Sequence, residues 1–367
     1  MIPSYLVSNE ACNSSILTYL SSIDLKEPFF IKCFLAIIIY IGLAYSYGSS
    51  SISLDSLNDG FVITNPILIE AGFETGDKII TVDGEKLETY SDLRKSIIGS
   101  AYYQVERDGN ILEIKLPVDF LGKLSSAEDM SSFELRMPFI IQSVSEESLN
   151  KDYDIRQGDQ IVSVNGQEIK YLDQLIPLLQ QNSKRTIEVE LIRDSFRIKK
   201  TLNVNEEGKL GIMHGATVQN MVDLGLIEVS NNSYSFLESI VVGTNNFASF
   251  MGFYFDQLVA IFNPSTGAYK GLGGFIAIGN IFPSTWDWYS FWNTTALLSV
   301  MLGVLNLLPI PALDGGHAMF LVYEMISGRK PSDKFMETVQ VIGFIILLAL
   351  VIFANGNDIY KLFNLIV

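Results

Sequence analysis

The stretch Asn306-Leu307-Leu308-Pro309-Ile310-Pro311-Ala312-Leu313-Asp314-Gly315-Gly316-His317 decides the fold class of this chain. It ends an uncharged run, Phe291–Leu308, long enough to cross a bilayer. A carboxylate, two prolines and a Gly-Gly pair therefore stand at the end of an apolar segment. Acidic side chains at membrane depth are costly and rare, and by default one is a functional-site hypothesis. A carboxylate held there suits a cation such as zinc. Capping of a helix after a proline-broken membrane segment is the competing reading of Asp314, and spacing alone leaves both open.

Outward from this stretch the apolar pattern continues. Residues 291–327 are read as a transmembrane helix carrying the motif, and 339–356 as a C-terminal one. Arg329, Lys330 and Lys334 stand between them. Basic loops stay on the cytoplasmic side, which places residues 48–290 and the C-terminus outside. A further transmembrane helix is expected over 29–47, about 28 Å of helix. Lys26 and Lys32 at its start give the same orientation. A signal peptide competes with this reading, but no A-x-A-like site follows in Ser46-Tyr47-Gly48-Ser49-Ser50, and a retained anchor is favoured. Residues 1–28 are polar and carry no clear pattern.

The 367 residues have 48% hydrophobic content and a formal net charge of −16. Residues 55–230 hold 30 of the 41 acidic and 18 of the 25 basic side chains. An acidic soluble part is thus set between apolar flanks. Its charge argues against nucleic acid as a partner, because phosphates need Lys and Arg. The two cysteines, Cys12 and Cys33, make no disulfide framework and no metal-ligand spacing.

The soluble part repeats itself. Gly76-Asp77-Lys78-Ile79-Ile80-Thr81-Val82-Asp83-Gly84 is matched by Gly158-Asp159-Gln160-Ile161-Val162-Ser163-Val164-Asn165-Gly166. Each copy reads as a Gly-Asp turn, a strand, and an Asp-Gly or Asn-Gly hairpin turn. A short helix and two strand-like segments follow in each, which predicts two small α/β domains over 55–120 and 135–210. This pattern resembles PDZ domains of the bacterial type, which bind extended peptides by adding a strand to a sheet edge. Two structural spacers without a ligand are the alternative.

Residues 234–262 mix Phe with Glu238, Asn245, Asn246 and Asp256, as an amphipathic or interfacial helix does. Gly271-Leu272-Gly273-Gly274 lies in a Gly-rich loop without the Gly-Lys-Ser/Thr of a phosphate loop. Trp286, Trp288, Tyr289 and Trp292 cluster like an interfacial aromatic belt.

The run Asn306-x-x-Pro309-x-Pro311-x-x-Asp314-Gly315-Gly316-His317 closely resembles the second metal-site motif of the site-2 protease family, and within it the RseP-type regulated intramembrane zinc proteases. The tail with Gly328-Arg329-Lys330-Pro331 and Asn357-Asp358-Ile359 is similar to that subfamily as well. The resemblance implies a polytopic α-helical membrane protein with two inserted small PDZ-like domains, in a bacterial inner membrane with those domains on the periplasmic side. It implies zinc as cofactor, Asp314 as the third zinc ligand, and Asn306, Pro309 and Pro311 as the segment engaging unwound substrate backbone. The implied partners are the lipid bilayer, a clipped single-span membrane substrate such as an anti-sigma factor, and peptide ends at the PDZ-like domains. His317 is not assigned as a ligand.

The family's other half-site, His-Glu-x-x-His, supplies two zinc ligands and the general base. No His-Glu pair exists in this sequence. No catalytic Glu or His is assigned, the zinc site is incomplete, and the chain as given is expected to be inactive. An N-terminally truncated enzyme and a non-catalytic membrane-anchored PDZ adaptor are the two explanations, and the intact motif around Asp314 favours the first.

Overall fold

A 20-residue helix, α1 (Pro28–Tyr47), opens the described part of the chain. The computed structural model describes residues 28–126, 131–283, 285–308, 310 and 313–366. They divide into two compact units, one of residues 50–231 and one of the segments before and after it.

In the first of these, strand β1 (Ser49–Ile52) is followed by β2 (Phe61–Val62), α2 (Pro66–Ala71), β3 (Lys78–Val82), α3 (Tyr90–Ser96), β4 (Tyr102–Arg107), β5 (Asn110–Lys115), α4 (Phe120–Ser126) and β6 (Glu134–Leu135). The second copy runs through β7 (Ile141–Val144), β8 (Gln160–Val164), β9 (Gln167–Glu168), α5 (Leu172–Gln181), β10 (Thr186–Arg193), β11 (Phe196–Asn203) and β12 (Ile212–His214). Helix α6 (Val218–Asp223) and strand β13 (Val229–Asn232) close the unit, and β13 pairs with β1. The sheets are β3-β4-β5 with β2-β6, then β11-β10-β8-β9 with β12-β7.

The sequence repeat is a repeat of hydrogen bonds. Gly76 N donates to Phe61 O at 2.9 Å, and Gly158 N to Ile141 O at 2.8 Å. Asp83 N donates to Tyr102 O and Asn165 N to Glu188 O, both at 2.7 Å. The side chains of Asp83 and Asn165 accept from Tyr102 N and Glu188 N, both at 2.9 Å. The Asp83-Gly84 and Asn165-Gly166 pairs all have positive φ, as a tight two-residue hairpin turn demands.

Each copy has its own apolar core. Phe61, Phe73, Leu93, Tyr103 and Phe133 fill the first, and Ile141, Ile161, Leu175, Leu191 and Leu202 the second. Met221 and Ile227, from beyond the second copy, pack in the first core. The first domain is therefore built from both sides of the second, a wider extent than 55–120. The two copies also touch. Arg136 donates to Asp59 O at 3.0 Å, pairs with Asp173, and lies 4.6 Å from the Tyr171 ring centroid. Lys170 and Tyr171 both donate to the Asp59 carboxylate, and hold it below its ordinary pKa.

The other unit is helical. After α1 come α7 (Phe236–Phe262), α8 (Phe275–Gly279), α9 (Trp288–Leu307), α10 (Asp314–Ser327) and α11 (Asp333–Ile366). Helices α1, α9 and α11 are long and apolar enough to cross a membrane. Helix α7 begins on a capping box, Ser235 with Glu238. Its Ser239, Gly243, Phe247, Tyr254 and Leu258 are buried, a stripe at helical spacing. Phe247, Tyr254 and Leu258 pack with Ala36, Ile39, Tyr40 and Leu43 of α1 and with Ala296, Val300 and Val304 of α9. Residues 291–327, expected as one helix, form two. The first ends at Leu307 and the second starts at Asp314, where prolines at 309 and 311 withhold the N–H groups a continuous helix needs. The C-terminal helix is longer than the apolar run 339–356 that announces it.

Candidate functional site

The break between α9 and α10 is where the sequence motif falls. Asn306 sits half-buried in the last turn of α9. Beyond it, Ile310 N donates to Leu308 O at 2.7 Å and Leu313 N to Ile310 O at 2.8 Å. Asp314 is the first residue of α10, with Leu313 at the N-cap in extended conformation. A helix start favours a negative charge, because its first N–H groups are unpaired and the helix dipole is positive there. Gly315 lies against the carbonyl end of α9: an added Cβ would overlap Leu308 O and stand 2.7 Å from Leu307 O. Gly315 is thus a packing requirement, since a side chain there would push α10 off the end of α9. Pro309, Pro311 and the side chains of Asp314 and His317 lie outside the described residues.

A catalytic zinc needs about three protein ligands and an open position. Among the described residues no three His, Cys, Asp or Glu side chains are grouped to hold an ion. The sequence has two histidines, and His214 belongs to β12, its ring 6.0 Å from that of Phe139. Among the described residues no complete zinc site is made up.

Two sheet edges in the soluble unit are unpaired among the described residues. Strand β6 pairs with β2 alone and β12 with β7 alone among the described residues. In the first copy, Tyr90 at the start of α3 stacks on Phe61 and donates to Phe133 O at 2.7 Å, just before β6. In the second copy the repeat places Leu172 at that position, which brings no hydroxyl. The loop leading to β12 packs on α5, with Gly208 against the Gln180 backbone.

The sequence profile of Peptidase family M50 matches residues 28–350. The chain belongs to this family. It is the family of the site-2 proteases, and the names of relatives support an RseP-type member. A regulator of sigma E protease from Haemophilus influenzae is 25% identical over 323 residues, covering 82% of this chain and 70% of that one. A zinc metalloprotease RasP from Shouchella clausii is 31% identical over 220 residues, covering 57% and 49%. The chain spans between 49% and 70% of the length of such curated relatives. A solved PDZ domain, from an SdrC-like protein of Listeria monocytogenes, matches 23% of this chain and 90% of its own length at 16% identity, with a TM-score of 0.18. The M50 membership makes this a membrane protein of a zinc-peptidase family.

In a second polar feature of the helical unit, sequence reasoning named Asn357 and Asp358 only as part of a tail likeness and missed what they bind. Asn355, Asn357 and Asp358 of α11 bond to the backbone of residues 270–277. The one available signal was three polar side chains directly after an apolar run.

Proposed function

We propose that this chain is the substrate-handling and single-carboxylate part of an intramembrane zinc peptidase acting on single-span membrane proteins, anti-sigma factors among them. The observation that carries this reading is the helix break at 307–314 in an M50 chain, with Asn306 in the last turn of α9 and Asp314 at the first position of α10. Asp314 supplies one zinc ligand. Asn306, with Pro309 and Pro311, engages extended substrate backbone, since proline-broken chain at membrane depth is tolerated only inside protein or a wet cavity. The two repeated domains receive peptide ends, with the β12 edge beside α5 open to an added strand. The basic residues Arg329, Lys330 and Lys334 support a cytoplasmic α10–α11 loop and a soluble unit on the periplasmic side of a bacterial inner membrane. With one zinc ligand and no His-Glu pair, the chain as given does not cleave.

The test uses the full chain in detergent. A photo-crosslinking residue at Asn306 should capture a single-span substrate already clipped on its outer side, and capture its intact form less. Titration with zinc should show no stoichiometric tight site, and a model membrane substrate should remain uncut. Tight stoichiometric zinc with turnover would overturn the inactive reading. No capture at Asn306 would overturn the substrate-handling role.

A further inference from the structure

The Gly-rich run at 271–274 is explained neither by phosphate binding nor by the helix break at 307–314. Its surroundings are specific. Asn357 Nδ2 donates to Lys270 O at 2.8 Å and to Leu272 O at 2.7 Å. Asn355 Oδ1 accepts from Phe275 N at 3.2 Å. Asp358 Oδ2 accepts from Ile276 N at 3.0 Å and Ala277 N at 3.2 Å. Three side chains of α11 thus satisfy two carbonyls and three N–H groups on either side of the Gly-Gly turn. Asp358 is 7% exposed. An added Cβ at Gly274 would stand 2.6 Å from Asn355 Oδ1 and 2.9 Å from Asn355 Cα, so the turn touches the helix backbone itself.

The position of this socket gives it meaning. Asn355 follows the apolar run Val339–Ala354, about 24 Å of helix, close to the thickness of a bilayer core. The socket therefore stands at the membrane boundary opposite the basic loop. Irregular backbone is tolerated at that depth only when its polar groups are paired inside the protein, and the socket pairs them. The segment it seats turns apolar side chains outward: Phe275 is 73% exposed, and Ile276, Ile278, Ile281 and Phe282 are exposed too. Trp286 and Trp288 follow, both exposed.

We propose that residues 271–282 form a membrane-inserted segment, seated by Asn355, Asn357 and Asp358, whose outward apolar face is covered by lipid acyl chains. Continuity with the spans α9 and α11 selects lipid over a protein partner. Soluble exposure of so many contiguous large apolar side chains would be unfavourable. The segment is too short and too glycine-rich to register as a span, so its insertion depends on the socket. The proposal rests on membership in a membrane family and not on catalysis.

The test uses the full chain in lipid nanodiscs, where both faces are open to reagents. In a Cys12→Ser, Cys33→Ser background, Ile278→Cys is compared with Glu206→Cys, an exposed site of the soluble unit. A membrane-impermeant maleimide should label Ile278→Cys at least roughly tenfold more slowly, because reaction needs local opening out of lipid. Adding Asp358→Ala should raise the Ile278→Cys rate toward the control while leaving the Glu206→Cys rate unchanged, and Asp358→Asn should raise it less, since one acceptor oxygen remains. Asn357→Ala is the parallel variant that decides the result if Asp358→Ala does not fold. Equal rates at the two sites without socket variants would overturn the insertion. An unchanged Ile278→Cys rate in the folded socket variant would overturn the seating role.

Discussion

Arg107 grips Asp77 with two parallel hydrogen bonds, Nε to Oδ1 at 2.6 Å and Nη2 to Oδ2 at 2.7 Å. Arg193 does the same to Asp159, with both bonds at 2.7 Å. In each copy the aspartate is the one after the glycine of the Gly-Asp turn, and each is 1% exposed. The guanidinium also donates to a nearby backbone carbonyl, Gly72 O or Asp154 O. The motif glycine and aspartate therefore form one local machine, which locks the turn to the end of β4 or β10.

Arg107→Ala should destabilise the first domain by about 3 kcal/mol, because it leaves a buried carboxylate without its partner. Hydrogen exchange on the full chain in detergent should show lost protection across β3 and β4, with β8 and β10 unchanged. Arg193→Ala should give the mirror pattern. Equal loss in both copies for either variant would contradict the separate cores.

The contact between the two domains should be acid-labile. Lys170 and Tyr171 hold the Asp59 carboxyl below its ordinary value of 3.8. A depressed carboxylate contributes stability that is present above the unfolded pKa and lost as pH falls through the folded one. Exchange protection at Tyr171 and Leu172 should therefore be steady at neutral pH and fall below about pH 4. Asp59→Asn should remove that pH step. A step that survives in Asp59→Asn would assign it to another group.

Gly243 is a point of close approach between α7 and α1. An added Cβ would stand 2.5 Å from Ile41 N and 2.6 Å from Ile41 Cα. Both atoms are backbone, so the helices must separate. Gly243→Ala should cost about 1–3 kcal/mol of helix-bundle stability, as overpacking does, against a small gain in helix propensity. Thermal unfolding in detergent, followed by tryptophan fluorescence, reads this directly, since all three tryptophans lie at 286–292 in the helical unit.

Tyr90→Phe removes the hydroxyl that bonds Phe133 O at the β6 edge while keeping the ring on Phe61. The stability loss should be about 1 kcal/mol, the net worth of one hydrogen bond. If the first domain also accepts an extended peptide, a labelled apolar peptide should bind this variant more tightly than the parent chain by fluorescence anisotropy.

Much of this was legible in the sequence, and the reasons differ by element. The paired Gly-Asp and Asp-Gly or Asn-Gly turns carry short-range chemistry, so the repeat survives as matching hydrogen bonds at Asp83 and Asn165. The apolar run before Asn306 and the prolines after it mark the helix break because both signals are local. Three features depend on long-range partners that the local sequence does not name. Met221 and Ile227 read as ordinary apolar residues, yet they complete a core begun at Leu54. Gly243 looks like a poor helix residue until Ile41 is placed beside it. Asn357 and Asp358 look like a helix end, while α11 continues through them because their side chains bond to another segment. Of the motif itself, Pro309, Pro311 and the Asp314 side chain lie outside the described residues.

The return of Met221 and Ile227 to the first core fixes an order of events during synthesis. The chain leaves the ribosome N-terminus first, and domains fold as they become complete. The second domain needs nothing beyond Leu210 and β12, so it can close while the first is still waiting. The first stays open until α6 and β13 have been made, and β13 then zips onto β1. The inner domain should mature before the outer one that precedes it, and a nascent chain stalled so that His214 has just cleared the ribosomal exit tunnel, with Met221 and Ile227 still inside it, should display a protease-resistant second domain beside a protease-sensitive first.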